Sequence, residues 1–379
     1  MIASHYPFRA IEKFPSSHAA AICELMDGDL LSAWYAGQRE GDPDSVIMGA
    51  RFSQEKKLWE PPRVWVDVHG HAAGNPRLFT GPDELLWLLA PVNYGEWCQG
   101  GTELYLKRSA DGGRRWTDLE RFIRKKGVLG KNKPVSIGKG IWIIPAEYER
   151  SWEAVMIRSE DNGKHWDLVR VPAGGERLHQ PAIVQLSGGS LLAYMRTWEG
   201  YIYQTRSEDF GQTWSRVERT DLPNNNSGID MIRLRSGKLL LVYNPVHLGP
   251  NGDLVVPEEV SRSLPRSEEM LCNADSAQIN YLVEQQWEGR LAGAGYYPNW
   301  GPRTPLSIAV SGDEGNTWKR VLDLQTGPGE FSYPAVIQDE LGTIHVVYTC
   351  HRTNIKHVRL IEKDLGMSCS TCHSNQDCG

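Results

Sequence analysis

The chain has 379 residues, 40% hydrophobic and 23% charged, with a formal net charge of -6. This is the profile of an ordinary soluble globular protein, and its mildly acidic balance excludes a global basic field for nucleic acid. No apolar run reaches the roughly 18 residues of a spanning helix, and the opening "MIASHYPFRAIEKF" lacks a basic-then-apolar signal pattern, so a cytoplasmic chain is the default expectation.

In chain order, a turn followed by a short apolar run occurs six times: "DGDLLSAW", "PDELLWLLA", "GKGIWIIPA", "SGGSLLAYM", "SGKLLLVY" and "LGTIHVVY". The runs begin at Leu30, Leu85, Ile141, Leu191, Leu239 and Ile344. Each is too short for a buried helix and is bounded by turn signals, which predicts a buried strand. A shorter apolar segment precedes each run, from "HAAAICEL" to "YPAVIQ", and makes it half of a hairpin. A third strand follows, as in "EAVMIRS", "YIYQTRS" and "PLSIAVS".

An octet then turns the chain into a fourth strand. "SADGGRRW", "SEDNGKHW", "SEDFGQTW" and "SGDEGNTW" begin at Ser109, Ser159, Ser207 and Ser311, and all fit Ser-x-Asp-x-Gly-x-x-Trp. In such a turn Ser and Asp bond local backbone groups, Gly takes a positive φ, and Trp packs back between sheets. The Asp spacing lacks the pattern of a calcium loop. The first unit carries only a degenerate turn, "SQEKKLW". The long gap before Ser311 places an insertion at 247–302 in unit five, with one short helix expected in "NADSAQINYLVEQQW". The last unit has three strands, and the N-terminal "YPFRAIEKF" supplies its outer one. Six four-stranded units closing on themselves predict an all-β fold, a six-bladed β-propeller over 1–364.

Four of the seven Cys are dispersed (Cys23, Cys98, Cys272, Cys350) and read as free thiols. Three crowd the tail 365–379, where Cys369, Cys372 and His373 spell C-x-x-C-H and Cys378 follows. A haem needs a surrounding domain, and an adjacent Cys-His pair suits one zinc tetrahedron poorly, so a disordered tail is expected. The basic stretch "RKKGVLGKNK" reads as a solvated loop. No cofactor, metal, nucleic acid or membrane partner is implied.

The octets resemble the Asp boxes of the sialidase superfamily, and the six-unit layout resembles sialidases along almost the whole chain. The strings "REGDPD", "KNKP", "NSGID" and "SYPAVIQ" resemble one sialidase-like branch. The resemblance implies an arginine triad for a substrate carboxylate, a Tyr nucleophile activated by a Glu, and an acid/base Asp after the first hairpin. It places the second and third arginines at Arg196, in "YMRT", and Arg303, in "RTPLSIAVS". His18 stands at the first, Gln180 at the Glu, and Phe331, in "FSYP", at the nucleophile. Tyr333, two residues on, projects from the same face of a strand and can deliver a phenol, whereas Glu330 points the other way if the strand already runs straight there. The acid/base loop is "QREGDPDS", with Arg39, Glu40, Asp42 and Asp44, of which Asp44 or Asp42 is the candidate acid.

His18, Asn75, Lys133, Gln180, Ser227 and Tyr333 open the first strands of successive units, one polar residue per blade around the axial funnel. The candidate catalytic residues are Asp44, Asp42, Tyr333 and His18. The candidate substrate-binding residues are Arg196, Arg303, Arg39, Gln180, Lys133 and Asp230. Three functions are compatible with this set. A glycosidase would cleave next to an acidic sugar held by Arg196 and Arg303. A lyase for uronic-acid chains would use His18 or Tyr333 as base, and a binding propeller would keep the arginines without turnover.

Overall fold

The computed structural model describes residues 2–95, 99–248, 254–255, 303–326 and 329–366. Six antiparallel sheets succeed one another along the chain, one per predicted unit. The second strands of the blades are Leu30–Gly37, Leu86–Asn93, Trp142–Tyr148, Leu191–Thr197, Leu239–Tyr243 and Ile344–Cys350. Each starts within one residue of its predicted position, because a short all-buried apolar run between turns has no other low-energy home. Ala3–Phe8 pairs with Asn354–Leu360 as the outer strand of blade six, so the N-terminal segment completes the final sheet. Neighbouring sheets bury apolar side chains against one another: Trp34 and Phe52 of blade one pack with Val347 and Ile355 of blade six.

The octets form one repeated device. Ser159 Oγ donates to Asp161 Oδ1 at 2.9 Å and accepts from the Gly163 N–H at 2.9 Å, while Asp161 Oδ1 accepts from the His165 N–H at 2.9 Å. The same bonds recur at Ser109, Ser207 and Ser311. The residue before the Gly is left-handed too, at φ 60° for Asn162 and 59° for Glu314. Trp214 enters the apolar core of blades three and four, and Trp318 packs against that of blades four and five. All four turns lie at one end of the propeller: Ser207 pairs with Leu191, where the second strand of blade four begins, whereas Arg196 stands at its other end, opposite His179.

Two blades depart from the simple pattern. In blade one both Leu58–Trp59 and Arg63–Val66 pair with Val46–Ser53. In blade three the first strand is split into Val128–Leu129 and Val135–Ser136, both paired with Trp142–Tyr148. The stretch between them belongs to the basic segment expected as a solvated loop, and the structure corrects that reading. Lys131 and Asn132 are buried, with the Lys131 ammonium donating to the Pro334 carbonyl and to Asn132 Oδ1.

The insertion 247–302 leaves between the second and third strands of blade five. Apart from the short pair His247–Leu248 and Leu254–Val255 it lies outside the described residues, and so does its expected helix. Cys98, Cys272, Cys369, Cys372, His373 and Cys378 also lie outside them. Cys23 and Cys350 are free and buried, and burial pushes their thiols up to about 12 and about 11, so both pack as small apolar groups. The one helical element among the described residues is the 3-10 turn Glu362–Leu365. No helix among them is long and apolar enough to cross a membrane.

Candidate active site

The funnel is built from bulges. In blades one, four and six the first strand slips register against the second, between His18 and Ala21, His179 and Ala182, and Ser332 and Ala335. Each slip carries one left-handed residue: Ala19 at φ 57°, Gln180 at 44° and Tyr333 at 51°. A bulge frees backbone donors from the ladder, and here side chains from other strands take them up. Thr349 Oγ1 accepts from the Ala19 N–H at 3.1 Å, Glu147 Oε2 from the Gln180 N–H at 3.0 Å, and Asp230 Oδ2 from the Val336 N–H at 2.8 Å. Left-handed non-glycine residues are costly and concentrate where a site needs an off-pattern direction.

This geometry corrects three expectations. Simple strand alternation fails between Phe331 and Tyr333: Phe331 is sealed in the core of blades five and six beside His351, and Tyr333 packs instead with Ala19 and Tyr35. The equivalent bulged positions are Ala19, Gln180 and Tyr333, so His18 corresponds to His179 and Ser332 rather than to Gln180 and Tyr333. Glu330 does not point away; it precedes the strand Phe331–Gln338 and is buried within the cationic cluster.

Tyr333 is the centre of that cluster. Its hydroxyl accepts from Arg196 Nη1 at 2.8 Å. The guanidinium carbons of Arg196 and Arg303 lie 5.1 and 5.5 Å from its ring centroid, and the Lys131 ammonium 6.0 Å. The His18 ring lies 4.1 Å away, centroid to centroid. Arg303 Nη1 donates to Glu330 Oε1 at 2.6 Å, and Arg352 Nε reaches the same carboxylate at 2.9 and 3.1 Å. Arg352 also pairs with Glu40. Tyr333, His18, Arg196, Arg303 and Glu330 are all buried. Blades one, four, five and six thus bring together four of the predicted residues: His18, Tyr333, Arg196 and Arg303.

Charge sets the protonation states. Burial alone would raise the Glu330 carboxyl, but Arg303 and Arg352 outweigh it and hold it at about 2. Burial, seconded by Arg352, Arg303, Arg196 and Lys131, pushes His18 well below the usual imidazole range, so the ring is neutral. Neither of its nitrogens has a hydrogen-bond partner among the described residues. Burial likewise lowers the Lys131 ammonium to about 7. Arg196 forms no ion pair among the described residues.

Other predicted residues are engaged elsewhere. Lys133 Nζ binds both oxygens of Asp230 at 2.7 Å, so this pair satisfies itself. Asp44 is exposed and accepts from the Gln38 N–H of its own loop at 3.1 Å. Asp42 lends its backbone to the same turn, and Arg39 is exposed. The residue of this loop that touches the cluster is Glu40. Gln180 is buried beside Glu147, while Asn75 is half-buried and Ser227 fully buried.

The residues that the sequence reading missed are Lys131, Glu147, Glu330 and Arg352. All are charged side chains that fold inward only because a partner from another blade receives them. One signal was present: Pro181 and Pro334 each directly follow a bulged residue.

The chain belongs to the BNR repeat-like domain family, whose model matches residues 28–346. It is similar to an anhydrosialidase of Macrobdella decora, 30% identical over 136 residues, a stretch that covers 33% of this chain and 17% of that protein's length. Among solved structures it is similar to the intramolecular trans-sialidase from Ruminococcus gnavus, with a TM-score of 0.67, 16% identity, and coverage of 95% of this chain and 98% of that one. It also resembles the leech intramolecular trans-sialidase, with a TM-score of 0.69, 13% identity, and coverage of 96% and 71%. These likenesses agree with the six-bladed propeller and make the chain a sialidase-like BNR-repeat protein.

Proposed function

We propose that this propeller is a glycosidase cleaving the bond next to a carboxylated sugar of the sialic-acid class, with Tyr333 as nucleophile. One observation carries the reading: a buried phenol sits between guanidiniums delivered by two blades, its oxygen accepting from Arg196. Arg196, Arg303 and Arg352 form the carboxylate clamp, because planar guanidiniums bind carboxylates in bidentate fashion. Glu330 neutralises part of the charge of Arg303 and Arg352, which lets Arg303 stay buried and Arg352 half-buried. Arg352 supplies from blade six the third guanidinium where blade one offers His18. The relatives' names, anhydrosialidase and intramolecular trans-sialidase, support the sugar class.

In this reading the Tyr333 oxygen, giving up its phenolic proton to solvent, attacks the anomeric carbon as the glycosidic C–O bond breaks. The leaving oxygen takes a proton from Asp44 or Asp42, whose loop is tied to the cluster through Glu40 and Arg352. Water then gives a proton to the same aspartate and bonds to the anomeric carbon as the bond from that carbon to the Tyr333 oxygen breaks, and the phenolate regains a proton from solvent.

A second reading, β-elimination from a uronic-acid chain, draws on His18. A neutral imidazole whose nitrogens have no partner among the described residues, packed at a tilt against a phenol, has a lone pair free to accept a proton. A panel of sialosides and uronic-acid glycans, followed by reducing ends and near-ultraviolet absorbance, separates the two. Sugar release without absorbance supports the glycosidase, and absorbance from a new C4–C5 double bond overturns it.

A further inference from the structure

We propose that the strings "KNKP" at 131–134 of blade three and "NSGID" at 226–230 of blade five, which the chemistry above does not use, form one cradle that positions Tyr333, with Lys131 and Gly228 as its positioning residues. The kinetic part of this inference rests on the glycosidase reading above. A left-handed tyrosine is costly and persists only where its surroundings fix it. Tyr333 has φ 51° and stands outside the ladder of its own blade, where pairing stops at Ser332 and resumes at Ala335. Its strand Phe331–Gln338 is the inner edge of the blade-six sheet, so the backbone groups of that edge must be met from other blades.

The two strings meet them. The Lys131 ammonium donates to the Pro334 carbonyl, one residue after Tyr333. Asp230 Oδ2 accepts from the Val336 N–H at 2.8 Å, three residues after it, and Lys133 Nζ fixes that carboxylate at 2.7 Å from each oxygen. Between the two lysines, Asn132 Nδ2 donates to the Gln180 and Pro181 carbonyls, both at 3.0 Å, and ties the blade-four bulge to the same segment. Lys131, Lys133, Asp230 and Val336 line one narrow cavity bounded by blades one, two, three, five and six, so these bonds converge on one place.

Gly228 sets where the ring lies. A Cβ on it would stand 3.1 Å from Tyr333 Cγ, 3.2 Å from Cδ2 and 3.4 Å from Cα. Gly228 is not left-handed, so its backbone would accept other residues, and the approach of the tyrosine is what requires glycine. The same ring has the His18 ring at 4.1 Å and the Arg196 guanidinium on its hydroxyl. A side chain at 228 therefore pushes the phenol against those neighbours and off its bond with Arg196. Misplacing a reacting group by about 1 Å costs about 10²-fold in rate.

The test is Gly228→Ala, with Gly312→Ala as its control, because a Cβ at Gly312 meets nothing within 4 Å and that residue is not left-handed either. With a 4-methylumbelliferyl sialoside, Gly228→Ala should lower kcat about tenfold and leave KM within about threefold, and Gly228→Val should lower kcat about 10²-fold. Lys131→Met should also lower kcat about tenfold, and Lys131→Gln, which keeps a donor for the Pro334 carbonyl, should recover part of the loss. In a Tyr333→Phe background Gly228→Ala should leave the residual rate unchanged, whereas a general loss of order lowers it there too. Unchanged kcat in Gly228→Ala, or an equal loss with and without the Tyr333 hydroxyl, overturns the proposal. If the native chain does not turn over sialosides, the glycosidase reading fails instead, and the cradle is read by 19F NMR of protein carrying 3-fluorotyrosine. The resonance missing from Tyr333→Phe belongs to Tyr333. Its displacement in Gly228→Ala and in Lys131→Met, but not in Gly312→Ala, upholds the cradle, and an unmoved resonance in either of the first two overturns it.

Discussion

The two ends of this propeller are built on opposite principles. At one end the same eight-residue turn recurs, and the bonds of its Ser and Asp close within the octet. At the other end blades one, four and six share a bulge, but the side chains that they present differ from blade to blade. Bonds there cross large sequence distances, as from Arg196 to Tyr333, Lys131 to Pro334 and Arg352 to Glu40. Buried polar atoms there have no partner among the described residues, among them both nitrogens of His18 and Oε1 of Glu147, while at the octet end the indole nitrogens of Trp116 and Trp214 lack one. Local satisfaction stabilises the blades, and unmet demand at the far rim is what a ligand can answer. A change at one end should therefore move stability and spare chemistry, and a change at the other should move chemistry, with stability following only where a buried ion pair is broken.

The largest expected break of that symmetry is Tyr333→Phe. Turnover of a sialoside should drop by about 10³-fold or more, because the nucleophilic oxygen is gone. The melting temperature should stay within roughly 2 °C, because one hydrogen bond is lost. Thermal melts and initial rates on the same sample check both halves.

The two arginines sharpen the contrast within the funnel. Arg303→Ala leaves Glu330 buried with Arg352 alone and should destabilise the fold by about 3 kcal/mol besides losing carboxylate binding. Arg196→Ala removes no ion pair among the described residues and should lose binding with little stability change. Calorimetric titration with N-acetylneuraminic acid, alongside urea unfolding, separates the pair.

At the octet end, Gly315→Ala should cost about 2 kcal/mol while the folded fraction keeps its specific activity. Gly315 has φ +88°, and a Cβ there would lie 2.7 Å from Leu192 Cδ2.

The closing sheet adds a pH test. His345 and His357 are buried in contact, with His345 Nδ1 3.0 Å from His357 Nε2 and His345 Nε2 2.9 Å from Asp339 Oδ2. Gln54, His5, Arg359 and Lys57 complete their surroundings. Burial lowers both imidazoles in the fold, so the unfolded chain binds more protons as pH falls. Stability should be full above the ordinary imidazole value of 6.5 and be lost progressively below it. The urea midpoint, measured from pH 8 downward, should fall in that window, and His357→Gln should flatten the slope.

The smallest effect is expected for Phe331→Tyr. A hydroxyl added to the core of blades five and six should cost about 1–2 kcal/mol and bring no activity, since that side chain faces away from the funnel.

What the sequence made legible follows the same division. The strand starts at Leu30 or Ile344, the octets and the closing strand Ala3–Phe8 are local patterns, and period and turn chemistry suffice to read them. Arg196 and Arg303 were placed through the family resemblance, and both guanidiniums lie beside the Tyr333 ring. The bulges were marked only by Pro181 and Pro334, because one extra residue leaves the apolar pattern intact while turning every later side chain over. That is why Phe331 was placed at the funnel and the bulged Tyr333 stands there. Glu147 and Lys131 were missed because a charged side chain is read as exposed until its partner in another blade is known.

The central claim is that the Tyr333 oxygen attacks the sugar, and covalent capture tests it most directly. Incubation with a sialosyl fluoride bearing a second fluorine at C3 slows both chemical steps and lets the intermediate accumulate. Digestion and mass spectrometry should then find the sugar on the peptide containing Tyr333, and Tyr333→Phe should carry none. Turnover of sialosides with no adduct on Tyr333, or with the sugar bound at another residue, would contradict the account.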